Sequence, residues 1–402
     1  MGPLSTGPCY GSDRWLAATD VSKEMGLPEE GITRRRITIA DIAQSAGVSK
    51  GSVSNAMNNR PGVSDLTRRR ILSIANELGW YPNSAARALS VARANACGLV
   101  LARPTTTLAS EPFFMELLAG IEAELSARSI ALTIQVVQDV RAEVAVYRRW
   151  WAEHRVDGVF LVDLRTDDPR IDELVQLGLP ALVVGGQLPG GEFPAVWHNE
   201  AAVLADIVRY LFALGHRRIA RVAGVPDFVH TVTRTQAFLE ITKTLSLPLP
   251  LVVTTDFMAE SGAQATRQLL LEPVPPTAVV YDSDVLAVAG LGVAHEMGFV
   301  VPDDVSLVAW DDSPYCRLVH PPLTAVTRDI PAYGALASAR LLELVEGAAP
   351  GDVESLRGKL TPRQSTGPAP RLTSVSEANE APDARRPGPS FAGRRQGGTA
   401  RT

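Results

Sequence analysis

Apolar residues along this chain follow two rhythms. Between residues 38 and 80 they recur at helical spacing. Ile39, Ile42, Ala43 and Ala46 stand at i, i+3, i+4 and i+7, one apolar stripe on a short helix. Ile71, Ile74, Ala75 and Leu78 repeat that stripe. Between them lies "AGVSKGSVSNAMNNRP", residues 46–61. On a helix beginning near Lys50, Val53, Ala56 and Met57 fall on one side, and Lys50, Gly51, Ser54 and Asn55 on the other. Ser49 and Ser64 are good N-caps, and Asp41 adds negative charge to the first turn of the first helix. Gly47 permits a sharp turn, and Gly79 with Pro82 stops the third helix. Three short helices are predicted.

From Ala96 onward short apolar runs alternate with amphipathic helices. "CGLVLA", "ALTIQVV", "DGVFLV" and "PALVVGG" read as strands, separated by "PFFMELLAGIEAELSARS", "AEVAVYRRWWAEH" and "PRIDELVQLG". The pattern then repeats with "RIARVAG", "LVVTT", "TAVVYDS" and "SLVAWDD". Continuous apolar strands alternating with helices predict parallel sheets covered on both faces. About ten strands exceed one tidy sheet, so two doubly wound halves with a cleft between them are expected. The fold class is α/β behind a three-helix head.

Charge sharpens this division. The formal net charge is −5, yet residues 34–93 hold ten Lys/Arg against three acids, a local excess of seven that leaves −12 for the rest. A basic block on an acidic body suits an anionic partner, and it also suits a merely solvated helical face. Hydrophobic residues make up 46%, enough for a sizeable core. Cys9, Cys97 and Cys316 show neither disulfide nor metal spacing, and the six histidines show no metal spacing either. His216, in "LGHRR", reads as structural. No apolar run is long enough to span a membrane, and no secretory signal opens the chain, so a cytoplasmic protein is expected. Met25 is a candidate alternative start. P-loop, H-E-x-x-H and G-x-S-x-G motifs are missing, and "GLGVAHEMG" lies in a predicted helix, a poor nucleotide fingerprint. No enzyme activity and no cofactor are expected.

"ITIADIAQSAGVSKGSVSNAMNN" resembles the helix-turn-helix of the LacI/GalR family of transcriptional regulators, and "VSDLTRRRILSIANELGWYPNSAARAL" continues the likeness through a third helix and hinge. "LGHRRIARVAG", "RTQAF" (family R-x-x-G-F), "YDSDVLAVAG" (family N-D-x-x-A-x-G) and "DDVSLVAWDD" resemble that family's periplasmic-binding-protein-like body, to about residue 367. Residues 1–36 show no sustained period and are rich in Gly, Pro and polar residues, and the C-terminal end is rich in Pro, Gly, Arg and Ser. A flexible extension over 1–36 and a disordered tail over 369–402 are therefore expected. The resemblance implies a DNA-binding head over 37–82, a hinge helix and linker over 83–94, and a bilobed effector-binding and dimerising body over 95–368.

It also implies roles. Thr38, Ser49, Ser52, Ser54 and Asn58 match backbone contacts of the family. Lys50, Gly51 and Asn55 match base readers, and Leu89 matches the hinge leucine that wedges between base pairs. The family often has Arg where Asn55 stands; Arg reads guanine whereas Asn prefers adenine, so a divergent operator is expected. Phe113, Phe114, Arg234, Phe257, Ser283 and Asp311 match effector contacts, Arg234 as a bidentate fork to ligand oxygens. Phe113 and Phe114 read equally as core, and Asp311 with Asp312 as a turn. Aromatic faces with convergent polar groups suit a sugar-like effector. Gly185 and His198 stand where the family usually has Asp, so a less acidic, roomier pocket is expected. The implied partners are double-stranded DNA at a pseudo-palindromic operator, a small effector and a second copy of the chain. A solute-binding protein on the same core is the alternative.

Overall fold

The computed structural model describes residues 37–80, 93–106, 111–188 and 190–370. They fall into two compact units that divide between Ala86 and Arg87. The expected extension over 1–36, most of the hinge including Leu89, and the tail beyond Pro370 lie outside the described residues.

The first unit is a three-helix head: α1 (Ile39–Ala46), α2 (Lys50–Met57) and α3 (Asp65–Glu77). Their starts follow from local chemistry. Thr38 and Asp41 form a reciprocal capping box on α1, and the hydroxyls of Ser49 and Ser64 accept from Ser52 N and Thr67 N. Gly47, at φ 61°, ends α1 in a left-handed turn. The core is small: Ile42, Ala43, Ala46, Val53, Ala56, Ile71 and Ala75. Ile39 and Leu78, expected on the apolar stripes, are instead exposed at the helix ends.

The second unit has two lobes. The first contains β1 (Ala96–Ala102), α4 (Pro112–Ala127), β2 (Ala131–Val137), α5 (Val140–Ala152), β3 (Gly158–Leu161), α6 (Pro169–Leu177), β4 (Ala181–Val184) and β5 (Ala195–Trp197). The second contains α7 (Glu200–Ala213), β6 (Ile219–Ala223), α8 (Val229–Thr244), β7 (Leu251–Thr254), α9 (Ala259–Leu270), β8 (Ala278–Tyr281), α10 (Asp284–Glu296), β9 (Ser306–Ala309), α11 (Pro314–Leu318) and β10 (Thr324–Thr327). The chain then returns. α12 (Ile330–Val345) packs on α4, β11 (Val353–Glu354) extends the first sheet, and β12 (Lys359–Thr361) extends the second.

The sheet orders are β11-β5-β4-β3-β1-β2 and β12-β10-β9-β8-β6-β7. All named pairings are parallel except β10 with β12, which is antiparallel. Alternate strand residues serve opposite faces. Leu99, Phe160 and Leu182 pack under α4 and α12, while Val100, Leu161 and Val183 pack with Tyr147 and Trp150 of α5. The edge strands β2 and β7 are partly open to solvent, contrary to the expectation of cover on both faces throughout. A Cβ on Gly120 would lie 2.0 Å from the Pro331 carbonyl oxygen, and one on Gly334 2.4 Å from that of Leu117. The α4–α12 crossing therefore needs both glycines.

Three segments join the lobes: Trp197 to Glu200, Thr327 to Ile330, and Glu354 to Lys359. The carboxyl ends of β1, β3, β4, β8 and β9 face the cleft, where doubly wound folds bind ligands. Ala369 N still donates to Leu214 O at 2.9 Å, so the body extends past the expected boundary at 368.

Candidate functional site

In the head, α2 turns Val53 and Ala56 inward and exposes Lys50 and Gly51, with Ser52, Ser54 and Asn55 half-exposed. A Cβ on Gly51 would meet only Ser49 Oγ, at 3.6 Å, so the helix there has room for an approaching surface. Several hydroxyls are already engaged. Thr38 Oγ1 donates to Asp41 at 2.7 Å, which uses the proton a phosphate oxygen would need. Ser49 Oγ and Ser52 Oγ lie 3.0 Å apart; one proton of that pair remains for an outside acceptor. Asn58 caps α2, its Nδ2 donating to Ser54 O at 3.0 Å.

In the body, a cleft of about 730 Å³, its open mouth included, is lined by all six residues expected there: Phe113, Phe114, Arg234, Phe257, Ser283 and Asp311. Phe114 is at once core and lining, whereas Phe113 is half-buried and packs edge-on to it at 5.4 Å. Phe257 is held at φ 70°, and a Cβ on Gly224 would overlap its ring at 1.9 Å. Ser283 Oγ caps α10, accepting from Leu286 N at 3.2 Å. Asp311 sits in a turn after β9 at φ 60° and binds Arg328.

Two expectations are refined by the geometry. Arg234 lines the cleft with part of its fork engaged: Nε pairs with Glu200, and Nη1 donates to Asp282 O at 3.1 Å. The guanidinium also lies over Trp310, 3.7 Å from the ring centre. Carboxylates are nonetheless plentiful in the pocket. Glu111, Asp163, Glu200, Asp282, Asp284 and Asp311 line it, together with Arg103, Arg234 and Arg328. Gly185 and His198 bring no carboxylate to the lining, and residues at strand ends and helix starts do.

Arg103, which the sequence reading passed over, organises the cleft. It leaves the end of β1, grips Asp163 through Nε and Nη2 at 2.7 and 2.8 Å, and reaches Glu111 at 3.1 Å. Phe114, Phe228 and Phe257 surround its guanidinium at 5.0–5.1 Å. Burial pushes the Glu111 carboxyl up to about 7. Burial also opposes charge on Glu200, but Arg234 and Arg328 outweigh it and hold the carboxyl down at about 2. His198, buried in the first crossover, is pushed down to about 4 and stacks on Tyr333 with ring centres 4.1 Å apart. A signal for the missed residues was present: Arg103, Asp163 and Asp282 each directly follow an apolar strand or stand one residue beyond it.

Among the described residues no helix is long and apolar enough to cross a membrane, and no metal-ligating group of three or more assembles. His216 bonds Thr277 and Gly367 O, a structural role.

Residues 38–83 match the model of bacterial regulatory proteins of the lacI family, and residues 208–366 match the periplasmic binding protein-like domain. The regulator AglR of Rhizobium meliloti is 33% identical over 347 residues, 83% of this chain and 95% of that protein. CelR of Thermobifida fusca is also 33% identical, over 78% of this chain and 93% of its own length. Among solved structures, a Lac repressor dimer bound to operator and an anti-inducer superposes with TM-score 0.73 at 26% identity, covering 83% of this chain and all of that one. A CelR–cellobiose complex gives TM-score 0.64 at 30% identity, over 82% of this chain and all of that one. With an exposed polar recognition helix on one unit and a lined cleft in the other, the chain belongs to the lacI family of bacterial regulatory proteins and is a DNA-binding transcriptional regulator.

Proposed function

We propose that the protein is an allosteric repressor, its operator affinity set by a small sugar-like effector in the body cleft. The observation that carries this is the union, in one chain, of the helix-turn-helix head and a cleft lined by three phenylalanines and convergent hydrogen-bonding groups. The cellobiose complex of CelR and the operator complex of the Lac repressor are what such a union does in relatives. Two paired copies place two α2 helices on a pseudo-palindrome. Lys50 and Asn55 read bases there, while Ser49, Ser52, Ser54 and Asn58 hold the backbone beside Gly51 and Thr38. Leu89 wedges into the minor groove. Effector and operator alter each other's affinity by the same factor, as linkage requires.

The test is selection of bound DNA from a random pool at fixed salt, with and without cellobiose as first probe. An enriched palindrome is expected, and its absence under every condition rejects the proposal. Leu89→Ala should lose most of the specific affinity and keep nonspecific binding; equal loss of both rejects the wedge.

A further inference from the structure

The cleft's charges are unevenly matched. Six carboxylates line it against three guanidiniums; a fourth, the buried Arg221, neutralises Asp282 from behind, and each lining guanidinium is already engaged. Arg103 holds Asp163 and Glu111, Arg234 holds Glu200, and Arg328 holds Asp311. An incoming carboxylate or phosphate meets more carboxylates than guanidiniums at low dielectric, and the guanidiniums that would neutralise it already carry carboxylate partners.

Two lining atoms are buried and make no hydrogen bond of normal geometry: His198 Nε2 and Asp284 Oδ2. Their residues are 5% and 3% exposed. His198 Nδ1 lies 3.2 Å from Leu356 O. A carbonyl can only accept, so the ring proton sits on Nδ1 and Nε2 is a bare lone pair. Asp284 Oδ1 accepts from Val285 N at 2.9 Å; the Ser313 hydroxyl also acts on this carboxyl, and Oδ2 keeps a lone pair with no hydrogen bond of normal geometry. Asp284 also lines a smaller recess beside the main cleft, with Phe113, Asp311 and Arg328 common to both. Buried acceptors without donors are costly until a donor arrives. Both vacancies therefore call for O–H or N–H groups, not oxyanions.

We infer that the cleft takes an uncharged polyhydroxylated ligand whose hydroxyl protons go to His198 Nε2 and Asp284 Oδ2, and that it rejects anionic sugars. This rests on the proposal that the cleft holds the effector. His198 is then a specificity-determining residue placed at a departure from the family pattern. It also reports on the hinge, because it sits in the first crossover, bonds the third, and stacks on the helix that follows the second.

The test is calorimetric titration of the full-length protein with neutral sugars (cellobiose, maltose, glucose, galactose) and anionic ones (glucuronate, galacturonate, glucose 6-phosphate). At least one neutral sugar should bind, with its anionic counterparts about 30-fold weaker or worse. His198→Phe keeps a ring on Tyr333 and removes the acceptor; it should weaken neutral binding about 10- to 100-fold, while His198→Asp, an acceptor again, stays within about fivefold. Asp284→Asn should narrow the gap between neutral and anionic sugars. Tighter binding of an anion than of its neutral parent overturns the inference using the wild type alone, as does undiminished binding by folded His198→Phe. If no sugar of either charge binds, the sugar reading falls and takes this inference with it.

Discussion

The α2 face and the body cleft present polar groups in opposite ways. On α2 the hydroxyls and amides are small, water-exposed and fixed by local caps, over a core whose seven buried residues include four alanines. In the cleft the polar groups are charged, buried and fixed by one another, over large apolar cores. Exposed groups can exchange water for phosphate or base edges at little cost. Buried groups are costly unless paired, so a ligand must fit the few valences left vacant. The head is thus tolerant of contact, and the cleft is selective about it.

That contrast can be broken experimentally. The largest effect is expected where a buried pair loses one member. Arg221 and Asp282 are wholly buried and joined at 2.6 Å, so Arg221→Met should destabilise the body by about 3–5 kcal/mol, read from urea unfolding. An effect under 1 kcal/mol would mean that the cleft's charges are not locked as described. Next, Gly224→Ala drives a methyl into the Phe257 ring; a cost of about 1–3 kcal/mol is expected, together with weaker sugar binding. In the head, Ser49→Ala removes the α2 cap and should cost about 1 kcal/mol. Lys50→Ala should change stability by less than about 0.5 kcal/mol while weakening binding to the selected operator by about 1–3 kcal/mol and relaxing its sequence preference.

The smallest effect concerns pH. Burial lowers His198 and His230 to about 4, so the folded body takes up fewer protons than the unfolded chain below pH 6.5, and these groups cost stability as pH falls toward 4. Burial raises Glu111 to about 7 and Asp284 to about 6. The folded body then takes up more protons as pH falls, and these groups add stability. The two pairs oppose each other, so a nearly flat melting temperature is expected between pH 7 and 4.5. Below pH 4.5 Glu200, held at about 2, loses its contribution, and the melting temperature should drop. Glu111→Gln should tilt the flat region into a decline on acidification; a profile unchanged by it would break the balance.

Much of the fold could be read directly. Helix starts at Ser49 and Ser64 and the longer apolar strands carry their own periodicity. β5, β11 and β12 escaped because two or three residues hold no period, and the antiparallel pairing of β12 is set by its partner β10, not by its own sequence. All six expected effector residues do line the cleft, yet Arg103, Glu111, Asp163 and Arg328 were missed. Arg103 and Asp163 lie 60 positions apart, and only the pairing of β1 with β3 brings them to one bond.

By itself the sequence determined what is local: where helices cap, which strand faces are apolar, and which α2 residues share an outer surface. Those outcomes depend on neighbours within a turn or a strand. The tertiary structure alone decided which charges meet. It gave Arg234 and Thr38 internal partners and left His198 Nε2 without a hydrogen bond. The reason is that the energy of a buried charge depends on distances across the cleft, and those are fixed only when both lobes and their three connections have folded together.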